Sequence, residues 1–324
     1  MFHADVTRRE ILRTTAALLA GARLASTHAA NPRGATAQAR AAAAAGERGL
    51  GGDLIVARMG FGAMRITGEG IWGEPADAQT CRAVLRRALD LGINFIDTAN
   101  SYGPDVSERL IGETLHPYPQ GLVIATKGGL TRPSADRWVA DCRPEALRAA
   151  CEGSLRRLKL ERIDVYQLHI PDPKVPYEDS IGEIARLQKE GKIHHVGISN
   201  VTPEQLEMAR GIVKVVSVQN RYNVADRGSD VLLATCERDG MAFIPWAPLG
   251  KSGRDSTPDT GAKTALATIA AERSISVQQA QLVWLLSRSP AMVPIPGTSS
   301  LQHLEQNVAA AKLRLTAEEM RRIG

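Results

Sequence analysis

From about residue 53 to the C-terminus, short β-favouring apolar runs alternate with stretches of helical periodicity, and nothing else in the chain limits its fold so tightly. Residues 58–64 read as a short strand entering a glycine turn, and further strands are expected at 93–97, 122–126, 163–168, 195–198, 215–218, 242–245 and 292–295. Between the first two, residues 77–91 carry Cys81, Val84, Leu85 and Ala88 at helical spacing, and Gly92 stops the run. Pro144 opens a helix striped by Leu147, Cys151, Leu155 and Leu158, and Thr202-Pro203-Glu204-Gln205 is a capping box with proline at the first helical position. Other helices are expected near 105–115, 178–190, 229–239, 263–273, 277–287 and from 301. Such alternation implies parallel pairing, because a parallel return needs a long crossover. Eight units in roughly 270 residues match a closed (β/α)8 TIM barrel of the α/β class. An open doubly wound sheet is the runner-up. Against it, the first strand–helix turn lacks G-x-G-x-x-G, since Gly60 and Gly62 are followed by Met64-Arg65-Ile66.

The first fifty residues are of another kind. Thr7-Arg8-Arg9-Glu10-Ile11-Leu12-Arg13 resembles a twin-arginine export motif, Thr14 to Ala22 is a short apolar segment, and small residues around Ala29 and Ala30 offer a cleavage site. Residues 1–30 are therefore expected to be a signal peptide for periplasmic delivery, with a cytoplasmic tail as the alternative; 31–50 read as a flexible linker and 51–324 as the barrel. The apolar segment is too short to span a bilayer. The formal charge of +5 is no sign of a nucleic-acid partner, because residues 1–50 hold seven Arg against Asp5, Glu10 and Glu47. The remainder is nearly neutral. Cys81, Cys142, Cys151 and Cys236 show no C-x-x-C and no metal spacing, so neither disulfides nor a metal site are expected. The sequence leaves the oligomeric state open, with a monomer favoured.

Chemistry is expected where strands leave the core. In Ile93-Asn94-Phe95-Ile96-Asp97-Thr98-Ala99-Asn100-Ser101-Tyr102 a buried strand ends on Asp97, and Tyr102 follows in the loop. Lys127 ends the next strand and His169 the one after. In a barrel these ends share one face. An Asp97–Lys127 ion pair would anchor the ammonium, which is expected to lower the Tyr102 phenol from its free pKa of about 10. A phenol so placed can donate a proton to a carbonyl oxygen, with His169 orienting that oxygen. Taken singly, each residue has a plainer reading as a buried pair, a loop tyrosine or a core histidine.

Taken together the motifs resemble the aldo-keto reductases, from about residue 50 to the C-terminus. They are Asp97-Thr98-Ala99-x-x-Tyr102, Thr126-Lys127, Leu168-His169, Gly197-Ile198-Ser199-Asn200, Gln219-Asn220-x-Tyr222-Asn223, Trp246-Ala247-Pro248-Leu249-Gly250 and Ile295-Pro296-Gly297-Thr298-Ser299-Ser300. The resemblance implies a catalytic tetrad of Asp97, Tyr102, Lys127 and His169, with Tyr102 as general acid/base. It also implies an extended nicotinamide cofactor, its carboxamide held by Ser199, Asn200 and Gln219 and its ring stacked on Trp246. Ala247, Pro248, Leu249 and Gly250 would pass near the pyrophosphate, and Gly297, Thr298 and Ser299 precede a helix N-terminus that favours phosphate. Asn307 and its neighbour would reach the adenine. Where many members carry Lys or Arg for the 2′-phosphate this chain has Gly297 and His303, and Gln306 stands where Glu is common. NADPH is expected, with NADH not excluded. Gly62-Ala63-Met64, Gly70-Ile71-Trp72-Gly73 and the 295–300 loop are similar to a bacterial branch containing pyridoxal reductases.

The expected activity is NADPH-dependent reduction of aldehydes or ketones to alcohols, with Met64, Trp72 and Trp138 as an apolar substrate wall. A cofactor-binding sensor with little turnover is the alternative from another class, and a Schiff-base aldolase using Lys127 is a third. The loops 65–75, 128–141, 171–177 and 251–262 would choose the substrate.

Overall fold

A computed structural model describes residues 41–250 and 261–324. The 1–30 leader lies outside the described residues, as do positions 31–40 of the linker and most of the 251–262 loop. Among the described residues no helix is long and apolar enough to cross a membrane.

Seven parallel strands form one sheet: β3 (Phe61–Gly62), β4 (Phe95–Asp97), β5 (Val123–Gly128), β8 (Ile163–Leu168), β9 (Ile193–Ser199), β10 (Val215–Gln219) and β11 (Ala242–Phe243), in that order across it. Between them run α1 (Ala78–Asp90), α2 (Val106–Leu115), α3 (Pro144–Leu158), α4 (Tyr177–Lys189), α5 (Pro203–Arg210) and α6 (Asp230–Arg238). The chain then adds α7 (Gly261–Glu272), α8 (Val277–Arg288), α9 (Leu301–Ala309) and α10 (Ala317–Ile323). The eighth strand expected at 292–295 is present but interrupted. Phe243 donates to Ala291 O at 2.9 Å and Val293 to Phe243 O at 2.8 Å on one side, while Gly60 donates to Pro294 O at 3.0 Å on the other. Pro294 and Pro296 have no N–H to return, so the ladder is one-directional there. That segment closes the barrel. Gly62 and Gly297 make the seam tight, since a Cβ on Gly62 would lie 2.5 Å from Ile295 O and one on Gly297 2.5 Å from Gly62 O.

Inside the barrel, Phe95, Val123, Ala125, Val165, Val216, Ala242, Ile244, Val293 and Ile295 pack with Leu50 and Val56. These last two belong to a hairpin of β1 (Glu47–Leu50) and β2 (Leu54–Ala57), which covers the end of the barrel away from the strand exits. The flexible linker expected at 31–50 is therefore wrong for its last ten residues. Ala41, Ala42 and Ala45 are buried, Arg48 donates to Met241 O at 2.7 Å, and Arg58 binds the carbonyls of Leu286 and Ser289 at 2.8 and 2.5 Å. Short side chains let this segment lie close on the helices, so it has little hydrophobic pattern to read. The loop after β5 also holds order that the sequence hid, an antiparallel hairpin of β6 (Leu130–Ser134) and β7 (Arg137–Ala140).

Candidate active site

At the strand exits, side chains of alternate strand positions point into the barrel and make its uppermost layer polar. Lys127 Nζ lies 2.6 Å from Asp97 Oδ2 and donates to Thr98 O at 2.8 Å and to the Tyr102 hydroxyl at 3.4 Å. The other carboxylate oxygen of Asp97 accepts from Gln167 Nε2 at 3.0 Å and Gln219 Nε2 at 2.8 Å. With Lys127 and Asp97 almost fully buried, every bond to that pair is a charge-assisted one in a dry site. The Tyr102 and His169 rings meet edge-on, centroids 6.0 Å apart. Ser101 Oγ sits 3.4 Å from His169 Nδ1, which leaves Nε2 as the nitrogen for a substrate oxygen.

Burial, not the ammonium, sets the Tyr102 phenol. Its pKa is raised above the usual 10, because desolvation outweighs the lowering by Lys127. The expected depression is thus wrong in sign: the strand ends are drier than a sequence can show. Burial and the nearby ammonium hold His169 well below its usual value, so its imidazole is neutral. Burial also works against the Lys127 charge, but Asp97 and Tyr102 together outweigh it and raise the lysine. A charged lysine with no solvent exposure is a poor Schiff-base nucleophile, which removes the aldolase reading.

The residues expected to hold a cofactor form a connected set at the same exits. Trp246 Nε1 donates to Asn200 Oδ1 at 2.9 Å; Asn200 Nδ2 in turn donates to His169 O at 2.9 Å and Ser199 Oγ at 3.1 Å. Asn200 has a left-handed backbone, φ 57°, tolerable for Asn because its short amide bonds locally. Gln219 spends its amide nitrogen on Asp97 and, at 3.2 Å, on Gln167 Oε1, so its carbonyl oxygen is left to accept from a carboxamide. After Trp246 the chain turns sharply, with Gly250 N on Ala247 O at 2.9 Å, Pro248 buried and Leu249 packed on the core. Thr298 is buried, Ser299 exposed, and Ser300 caps α9 through His303 N at 3.4 Å. His303 and Gln306 are exposed along α9, whereas Asn307 is buried on its inner side.

A model of the aldo/keto reductase family matches residues 58–324. The chain belongs to that family. It is 50% identical over 267 residues to an uncharacterized oxidoreductase of Schizosaccharomyces pombe, covering 82% of this chain and 85% of the relative. It is 41% identical over 273 residues to pyridoxine 4-dehydrogenase of Escherichia coli K12, covering 82% and 93%. A solved aldo-keto reductase of Klebsiella pneumoniae in complex with NADPH superposes with a TM-score of 0.72 at 28% identity, over 86% of this chain and 93% of that one.

In this aldo/keto reductase two of the three residues expected as a substrate wall are joined through one that the sequence did not single out. The Arg132 guanidinium lies 3.8 Å from the Trp138 ring centroid and 5.4 Å from that of Trp72. It also donates to Ile71 O at 2.9 Å, and the Trp72 backbone bridges to Gly103, next to Tyr102. Trp72 and Trp138 are thus joined by one cation, at the rim beside the phenol. Met64 is partly buried in a helical turn at 63–66. Gln167 was also missed; its signal is a lone amide in strand 163–168, two after Val165 and so on the same inward face.

Proposed function

We propose that the chain is an NADPH-dependent carbonyl reductase whose preferred substrates are aromatic aldehydes of the pyridoxal type, reduced to the primary alcohol. The observation that carries the chemistry is the buried Asp97–Lys127 pair within hydrogen-bond reach of Tyr102. The name of the Escherichia coli relative and the rim tryptophans support the substrate class.

The residues present fit a nicotinamide cofactor. Ser199, Asn200 and the Gln219 carbonyl oxygen offer donors and acceptors for a carboxamide, Trp246 an aromatic platform, and the α9 N-terminus partial positive charge for phosphate. Once bound, the cofactor supplies the reducing equivalent. The protein does the rest. Tyr102 donates its phenolic proton to the carbonyl oxygen, and Lys127 stabilises the phenolate charge that appears. Asp97, held by Gln167 and Gln219, keeps Lys127 aimed at the phenol. Neutral His169 orients the oxygen without competing as a proton donor, and the buried layer excludes water.

The test is loss of NADPH absorbance, and separately of NADH absorbance, with a panel of carbonyls including pyridoxal. Turnover with NADPH is expected, fastest with aromatic aldehydes. Reduction needs the phenol form, which is present below the Tyr102 pKa and lost as pH rises through it. Since that pKa lies above 10, kcat for reduction should stay level from about pH 6 to 9. Oxidation of the alcohol needs phenolate and should rise with pH across that range. A reduction rate that halves near neutrality would contradict the assignment, as would no turnover on any carbonyl.

A further inference from the structure

At the barrel end opposite the catalytic mouth, three chemistry-bearing side chains meet that the reductase reaction does not use. Asp53 closes the turn between β1 and β2, and His194 and His195 are the second and third residues of β9. His194 Nε2 lies 2.6 Å from Asp53 Oδ2, and His195 Nε2 lies 2.6 Å from Oδ1. Successive residues of a strand ordinarily face opposite sides. Here both imidazoles turn to one carboxylate, ring centroids 4.1 Å apart, and the three donor atoms all fall within 4.8 Å of one another.

The turn is shaped for this meeting. Gly51 has φ +70°, and a Cβ on it would lie 2.0 Å from His195 Cε1, so only glycine leaves room for the ring. Lys214 Nζ fixes the same turn by donating to Gly51 O at 2.8 Å. Asp164 lies on the adjoining strand β8, where its carboxylate accepts from Ile124 N at 2.9 Å. Asp53 itself is open to solvent, which gives an ion access.

We propose that Asp53, His194 and His195 bind one late first-row divalent metal ion, zinc(II) by its ligand set, and that the ion clips the hairpin to β9. Two imidazoles and one carboxylate are a three-ligand set that leaves a position for water. Imidazole donors favour the copper–nickel–zinc end of the divalent series. To bind, each neutral imidazole carries its proton on Nδ1 and presents the Nε2 lone pair, and the two bonds to Asp53 are exchanged for bonds to the ion. Sequence spacing conceals the site, because Asp53 and His194 are 141 residues apart, and the expectation of no metal site rested on cysteine spacing alone.

Tag-free full-length protein, stripped with chelator, is titrated with zinc(II) by calorimetry and with cobalt(II) by visible absorption. The proposal expects saturation at one equivalent with micromolar affinity or better. His194→Ala, His195→Ala and Asp53→Asn should each weaken binding by at least about tenfold, with carbonyl turnover unchanged. Zinc should raise the wild-type melting temperature by about 5 °C, reversed by chelator and absent in His194→Ala. No saturable binding below about 1 mM would overturn it, meaning an ion pair only, weaker than any functional imidazole–zinc site. Unchanged affinity in folded His194→Ala and Asp53→Asn would equally overturn it, by placing the ion elsewhere.

Discussion

Tyr102→Phe is expected to lower kcat for aldehyde reduction by about 10²- to 10⁴-fold, with NADPH affinity changed little. The substitution removes one oxygen and keeps the ring. Its edge-on contact with His169 and its buried packing therefore survive. What disappears is the hydroxyl 3.4 Å from Lys127 Nζ, and with it the proton that is to be donated. Because the loss falls on proton donation in the transition state, kcat and kcat/KM should fall together. Steady-state rates with NADPH, paired with tryptophan-quenching titration of the cofactor, separate the two effects. A variant within tenfold of wild type would show that another group donates the proton.

Lys127→Met is expected to cost both activity and stability. The lysine is fully buried and neutralises a carboxylate that is itself almost fully buried. Truncation leaves Asp97 with its two amide donors, Gln167 and Gln219, but without a counter-charge. Breaking one side of a buried pair costs about 3–5 kcal/mol, or a melting temperature lower by roughly 10 °C in a chain of this size. Turnover should fall at least about 100-fold, since nothing then stabilises the phenolate. The double variant Asp97→Asn/Lys127→Met replaces both charges with neutral groups and should recover much of the melting temperature but none of the activity. If the single variant melts with wild type, the pair is not the buried, desolvated one described.

Much of the barrel was legible because parallel strands buried on both faces read as apolar runs; Leu122-Val123-Ile124-Ala125 is an example. The strand-exit residues were legible for the same reason, as polar groups stand out at the end of such runs. What was hidden had a local cause. Prolines 294 and 296 silence half of the closing strand's ladder. Residues 41–50 lay alanines against the helices and one leucine, Leu50, into the barrel floor, which looks like linker composition. Arg132 reads as a surface charge until β6 and β7 pair and bring its guanidinium between Trp72 and Trp138. The sign of the Tyr102 shift depends on how dry the layer is, and dryness follows from packing of all eight strand exits, not from any motif.

The fate of deuterium distinguishes hydride delivery to carbon from protonation at oxygen. Wild-type protein is given NADPH labelled at the transferable C4 position and an aromatic aldehyde in ordinary water, then unlabelled NADPH in heavy water. Deuterium is expected on the carbinol carbon in the first experiment only, since Tyr102 delivers its solvent-exchangeable proton to oxygen alone. Carbon-bound deuterium acquired from heavy water would contradict it, because carbon would then be taking up a proton rather than a hydride.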